Sequence, residues 1–186
     1  MKVVSNLAFL LLTFICFSWT NKQQSGKHVK HIIFPYDTLK YDKVIAYDYD
    51  GGKGAEIVLK GQLQKGLVKN EKEVSHKQIS EIHKVLRDTK TYGGGKASCF
   101  DPHLALIYYK GNKIVGYITI CLECNYLESS IEITASETKK IYYCDTCKGY
   151  YFADGFSKVG RVGINDFCKE LNFSHCKDNL VSAFDK

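Results

Sequence analysis

Alternation of apolar and polar positions is clearest between residues 103 and 121. The run HLALIYYKGNKIVGYITIC places β-branched and aromatic residues on both sides of the polar stretch KGNK at 110–113. Two such runs around a short polar turn are typical of a β-hairpin, which we predict here. The runs KVIAYDYD and AEIVLKGQL, joined by the glycine-rich turn DGGKG, predict another hairpin. Further strands are predicted in SSIEITASE and KKIYYCDTCKGYYF, where paired tyrosines suit half-buried strands.

Helical spacing follows in the segment SHKQISEIHKVLRDTKTYGGG. Ser75 can cap the helix and the glycines at 93–95 can end it. The apolar positions recur every three or four residues: Ile79, Ile82, Val85 and Leu86. His76 and His83 are close to two turns apart and therefore share a face. They could form a metal pair, but the polar face of an amphipathic helix is the interpretation we favour.

A second helix, capped by Ser157, is predicted in GFSKVGRVGINDFCKELNF. Its glycines at 160 and 163 weaken the helical preference. The order strands, helix, strands, helix predicts an α+β fold, in which an antiparallel sheet built from hairpins carries two helices on one face.

The first residues have the pattern of an export signal. An apolar run from Leu7 to Phe17 follows one early lysine, and it is shorter than the ~20 residues that a membrane-spanning helix needs. We therefore expect a signal peptide at 1–20, a polar tether at 21–31 and a single α+β domain at 32–186, with no transmembrane helix. A lipid anchor at Cys16 is the less favoured alternative to plain secretion or periplasmic residence, because Ile15 is a poor residue before an acylated cysteine.

Charge narrows the choice of partners. The chain of 186 residues has a formal net charge of +6, but its lysines are scattered and only two arginines are present, Arg87 and Arg161. Nucleic-acid surfaces usually combine dense basic runs with interleaved aromatic residues. We interpret the charge as a solvated basic surface and expect no nucleic-acid partner.

Cysteine usage leaves three chemistries open. Removal of the signal leaves seven of the eight cysteines, an odd number, and in an exported protein pairing is the default. Structural disulfides are therefore the favoured interpretation, with Cys99 bridging to Cys121 or Cys124 across the open end of the central hairpin. Each C-x-x-C could instead be a redox pair, although neither has the helix signature that lowers a thiol pKa.

The alternative to disulfides is a metal site. Cys99, His103, Cys121 and Cys124 can converge at the end of the hairpin as a Cys3His set for zinc or copper(I). That set leaves four cysteines as disulfide candidates: Cys144, Cys147, Cys168 and Cys176. The pairs in CLEC and CDTC also fit the spacing of a zinc ribbon, a pattern that export makes less favourable.

The residues around this hairpin carry a family resemblance. Cys99, Phe100, Pro102 and His103, followed by Ile-Cys-x-x-Cys at 120–124, resemble the Cys-Phe-x-Pro-His and Ile-Cys-x-x-Cys motifs of uncharacterised bacterial exported proteins and lipoproteins of the Bacteroidetes type. Members often have a second histidine where this chain has Leu104. The resemblance implies an exported location and an important hairpin end, and it implies no reaction.

No hydrolase motif is present in the sequence. The favoured hypothesis is a non-enzymatic, disulfide-stabilised module that binds an unknown partner in the periplasm, in the cell envelope or outside the cell. The alternatives are a zinc or copper protein using the Cys3His set and a thiol-disulfide oxidoreductase using Cys121 and Cys124.

Overall fold

A computed structural model describes residues 34–176. The expected signal peptide at 1–20 and tether at 21–31 lie outside these residues, as does the stretch 177–186. The described chain has three helices: α1 (Pro35–Thr38), α2 (His76–Arg87) and α3 (Lys158–Glu170). Its strands are β1 (Lys43–Tyr49), β2 (Val58–Leu59), β3 (Gln62–Leu63), β4 (Val68–Glu73), β5 (Tyr92–Gly94), β6 (Leu104–Lys110), β7 (Lys113–Cys121), β8 (Tyr126–Ser129), β9 (Lys140–Cys144), β10 (Gly149–Ala153) and β11 (Gly155–Phe156).

Five of these strands form one antiparallel sheet in the order β4-β1-β6-β7-β8. The predicted α+β class is confirmed. The predicted hairpin with its turn at 110–113 is also confirmed, since β6 and β7 pair from Leu104 opposite Ile120 to Lys110 opposite Lys113. Three small two-stranded sheets, β2-β3, β5-β11 and β9-β10, complete the described strands.

The hairpin predicted around DGGKG is wrong. β1 pairs with β4 and β6, whereas AEIVLKGQL folds back on itself as the short β2–β3 hairpin. β4 has the polar sequence VKNEKE, with five of its six residues exposed, so no apolar alternation marks it in the sequence. Charged residues suit an edge strand because they discourage further strand pairing. The expected strand SSIEITASE is also wrong apart from its first residue, Ser129, since β8 ends there and residues 134–137 form a 3-10 helix.

The inner face of the sheet holds the larger core. Val44, Leu106 and Ile118 are buried there together with Ile82 from α2 and Ile164 from α3. Ser75 caps α2 with a full capping box, as the sequence predicts. The helix ends at Arg87 rather than at the glycines, because residues 89–91 form a 3-10 helix and the chain then enters β5.

His83 corrects the interpretation of α2. His76 is exposed, but His83 is buried beneath the segment around α1, with its ring centroid 4.8 Å from that of Phe34. Nδ1 of His83 lies 2.9 Å from Asp37, and Nε2 lies 2.8 Å from the hydroxyl of Tyr108. Burial lowers the pKa of His83, although Asp37 opposes the shift. Both ring nitrogens are occupied, so this histidine is a core residue and not half of a metal pair.

The outer face of the sheet carries a smaller core. Tyr47, Ala105 and Ile107 from the sheet pack against Ile57 and Val58 from the segment that follows β1. This segment, residues 50–67, is therefore the cover of the outer face. Within residues 34–176, no helix is both long and apolar enough to cross a membrane.

Candidate functional site

The open end of the β6–β7 hairpin brings together three of the four residues predicted to hold a metal. Cys121 ends β7, and Cys124 lies in the turn to β8. Cys99 approaches from the segment before β6 and forms a disulfide with Cys124, their Cα atoms being 5.7 Å apart. The backbone amide of Cys124 donates to Sγ of Cys121 over 3.1 Å. One of the bridges left open by the sequence, Cys99 to Cys124, is thus the one that the structure contains.

Cys121 is the free cysteine of the described chain, and it is buried. Its thiol donates to the carbonyl of Asp101 over 3.2 Å. Burial raises the pKa of Cys121, although the amide of Cys124 opposes the shift. Because the thiolate is the reactive form, these surroundings do not suit a redox nucleophile.

The fourth predicted ligand, His103, makes its contacts with Tyr49 and His175. Its Nδ1 lies 3.0 Å from the carbonyl of Tyr49. Its ring stacks on that of His175, with centroids 4.0 Å apart and planes 4° from parallel. His175 comes from the last described turn of the chain, so this contact could not be read from the hairpin alone.

His175 is positioned in turn by Asp48, a carboxylate on β1 that is only 2% exposed. One oxygen of Asp48 lies 2.5 Å from Nδ1 of His175, and the other accepts from the backbone amide and hydroxyl of Ser174. Burial alone would raise the pKa of Asp48, but these hydrogen bonds outweigh it and the pKa is lowered. The cluster fixes the end of the described chain against the sheet.

Among residues 34–176, no group of three or more His, Cys, Asp or Glu side chains is placed to hold a metal ion. The disulfide uses the sulfurs of Cys99 and Cys124, which a zinc or copper site needs as thiolates. The stacked imidazoles of His103 and His175 lie in parallel planes, so their in-plane lone pairs cannot meet at one ion. The Cys3His site stays a prediction that this geometry does not favour.

The four remaining cysteines lie in two pairs at disulfide distance. Cys144 and Cys147 close the tip of the β9–β10 hairpin, with Cα atoms 5.4 Å apart. Cys168 on α3 is joined to Cys176, with Cα atoms 5.5 Å apart. The second bridge links α3 to the short turn that carries His175.

One surface of the β9–β10 hairpin is unusually apolar. Four side chains on one side of this ribbon, which we call the aromatic face, are Ile141, Tyr143, Tyr150 and Phe152. They are 63%, 50%, 77% and 66% exposed, in that order. Directly opposite residues of an antiparallel pair share a face, and the pairs are Tyr143 with Tyr150 and Ile141 with Phe152. Large exposed apolar patches usually mark interaction sites.

The other side of the same ribbon contacts β5 through Tyr142, although Tyr142 and Tyr151 stay 40% and 49% exposed. The hydroxyl of Tyr142 donates to the carbonyl of Gly93 on β5 over 3.1 Å, and the Tyr142 ring stacks with that of Tyr151. The half-buried environment predicted for the tyrosine pairs fits Tyr142, Tyr143 and Tyr151, which are 40–50% exposed, and is wrong for Tyr150, which is 77% exposed. Strong strand-forming residues on both alternating positions are the signal in the sequence that could have indicated a two-sided apolar ribbon.

A cavity of about 290 Å³ lies between the outer face of the sheet and its cover. The sheet contributes Tyr49, Thr119 and Glu128, and the cover contributes Glu56. The Tyr49 hydroxyl is buried and has no hydrogen-bond partner. Burial, with smaller contributions from Cys121 and Glu128, raises the pKa of Tyr49, which therefore stays a neutral phenol.

No protein-family model, no curated protein and no solved structure matches the chain significantly. The geometry of the sites described above is therefore the basis of the functional argument.

Proposed function

We propose that the protein is an exported, non-enzymatic, disulfide-stabilised module of the cell envelope that docks onto an anionic lipid surface through its aromatic face. The observation that carries the proposal is the exposure of Ile141, Tyr143, Tyr150 and Phe152 on one side of a ribbon that contacts β5 through its other side. Export is supported by the apolar run at Leu7–Phe17 and by the three cysteine pairs at disulfide distance.

The size of the aromatic face favours a lipid surface over a protein. Two five-residue strands make a patch of roughly 16 Å by 10 Å, because β9 and β10 each have five residues. Stable protein complexes bury about 800 Å² on each partner. Aromatic side chains can enter the headgroup region of a bilayer without a complementary surface, and tyrosine is enriched at that depth.

Charge around the ribbon points to anionic lipid. Lys139 and Lys148 precede β9 and β10 and are exposed, and Asp145 at the tip is the one acidic residue between them. Lys140 lies on the other side of the ribbon, where its side chain lies beside Gly93. The chain as a whole has a net charge of +6. Basic residues near a membrane are attracted to anionic headgroups by ~1 kcal/mol each. The disulfide between Cys144 and Cys147 holds the tip together.

The test is co-sedimentation with vesicles of phosphatidylglycerol and phosphatidylcholine. The double variant Tyr150→Ser/Phe152→Ser removes the two most exposed side chains of the aromatic face. We expect it to bind at least tenfold more weakly than the parent protein while keeping its melting temperature. The matched control is Val159→Ser/Val162→Ser, which removes two equally exposed apolar side chains from α3, 68% and 52% exposed. The control should bind as the parent protein does.

Vesicles of phosphatidylcholine alone should bind less protein, and added salt should weaken binding to the anionic vesicles. Equal loss of binding in both double variants would refute a specific role of the aromatic face. Failure to bind vesicles, together with dimers that only the hairpin variant abolishes, would overturn the lipid proposal in favour of a second copy of the chain.

A further inference from the structure

We infer that the cavity between the sheet and its cover is a binding site for a small organic cation with an apolar body, such as a protonated amine. The inference is independent of the aromatic face, which lies on a different sheet. It rests on the buried hydroxyl of Tyr49, the two carboxylates of the cavity and the aromatic rings beside them.

Tyr49 is the strongest sign of a ligand. The residue is 0% exposed, and its hydroxyl has no hydrogen-bond partner among the described residues. The neighbouring hydroxyl of Thr119 is close enough to oppose the rise in the pKa of Tyr49, but it donates to the carbonyl of Glu128 over 3.4 Å and forms no hydrogen bond of normal geometry with the phenol. A buried hydroxyl without a partner costs ~1–3 kcal/mol. A ligand that donates a hydrogen bond to the phenol oxygen would remove that cost.

The charge of the cavity selects a cation. Glu56 and Glu128, both exposed to solvent, stand at its opening, and no lysine or arginine within residues 34–176 lines it. Neither carboxylate forms a salt bridge with another described residue. The chain is otherwise basic, with a net charge of +6, so two unpaired carboxylates in one cavity are a local reversal of its charge.

The remaining lining provides a place for an apolar body. The rings of Phe100 and Tyr117 border the cavity, and Ile57 and Val58 come from the cover. Aromatic faces attract ammonium groups by ~0.5–2 kcal/mol, depending on solvent exposure. A volume of about 290 Å³ is at the lower limit of small-molecule pockets, so the ligand must be small.

The experiment is an NMR titration of the full chain with benzylammonium, using benzyl alcohol as the neutral control of the same size. We expect shifts at the resonances of Tyr49, Thr119 and Glu128, and at least tenfold tighter binding of benzylammonium than of benzyl alcohol. Equal affinity for the two compounds, or shifts only at residues outside the cavity, would overturn the inference.

Two variants separate a ligand contact from a structural role. Glu128→Gln should weaken benzylammonium binding about tenfold, whereas Glu132→Gln, an exposed glutamate outside the cavity, should not change it. Tyr49→Phe should weaken binding several-fold without lowering the melting temperature of the free protein, because the hydroxyl it removes has no partner to lose. Unchanged binding in both Glu128→Gln and Tyr49→Phe would refute the site.

Discussion

Two C-x-x-C turns in this protein share a local geometry and differ in what surrounds them. In both turns the amide of the second cysteine donates to the sulfur of the first, over 3.1 Å at Cys121 and 3.0 Å at Cys144. The residue after the second cysteine has a positive φ in each, 69° at Asn125 and 52° at Lys148. The exposed turn closes on itself as a Cys144–Cys147 disulfide, whereas in the buried turn Cys124 bonds to the distant Cys99.

The difference shows that the turn permits a local disulfide and that the packing around it decides the pairing. The buried turn is held by the side chain of Asn125, which is 0% exposed. Its amide donates to the carbonyls of Gly95 and Phe156, and its oxygen accepts from Arg161. Lys148 occupies the equivalent place in the exposed turn and is itself exposed.

The two turns should differ most in the free energy of unfolding that is lost when the residue after the second cysteine is replaced. Asn125→Ala should lower the free energy of unfolding by about 4 kcal/mol, because it removes the hydrogen bonds to two carbonyls and to the guanidinium of Arg161 in a buried region. Lys148→Ala exchanges one Cβ-bearing residue for another at a similar φ and loses no buried contact, so it should change the free energy of unfolding by less than about 0.5 kcal/mol. Urea denaturation of the two variants gives the comparison, and equal losses would contradict it.

The two disulfides should differ less in how much each contributes to the free energy of unfolding. The Cys99–Cys124 bridge has a sequence separation of 25 and the Cys144–Cys147 bridge one of 3. In the chain-entropy description, such loops stabilise the folded state by about 3.5 and about 1.7 kcal/mol. Denaturation of the two double serine variants should reproduce that order. A larger loss from the exposed turn would show that loop closure does not govern these bridges.

The smallest effect tests whether the buried turn can behave as the exposed one does. The Cys99→Ser variant releases Cys124 next to Cys121, and under oxidising conditions we expect these two to pair. Peptide mapping with thiol alkylation should then find neither thiol modified, whereas in the parent protein Cys121 is the free thiol among residues 34–176. The variant should be about 1.7 kcal/mol more stable than Cys99→Ser/Cys121→Ser, which cannot form the local bridge. Alkylation of both cysteines in Cys99→Ser would contradict the shared geometry.

The features that local pattern controls were predictable from the sequence. The β6–β7 hairpin and the caps of α2 and α3 follow from periodicity and from serines at helix starts, and the structure has them as expected. β4 was not predictable in this way, because VKNEKE is a strand only through its pairing with β1.

The candidate sites depend on contacts that the sequence does not display. Counting residues around the central hairpin predicted that Cys99, Cys121 and Cys124 could meet, and it left their pairing open. The stacking of His103 on His175 was not predictable from the hairpin, because it depends on the contact between His175 and Asp48, which come from opposite ends of the described chain. The cavity exists only because the cover folds over Tyr49, and no periodic pattern marks that contact.

The contact between Asp48 and the end of the described chain also has a consequence for the order of folding during synthesis. Asp48 lies in the first strand, but the groups that satisfy its buried carboxylate belong to Ser174 and His175, with Ser174 lying 126 residues later. At ~5–20 residues per second, a ribosome needs roughly 6–25 s to cover that interval. The carboxylate of Asp48, near the end of β1 and opposite Leu104, therefore stays without these partners until nearly the whole described chain has been made.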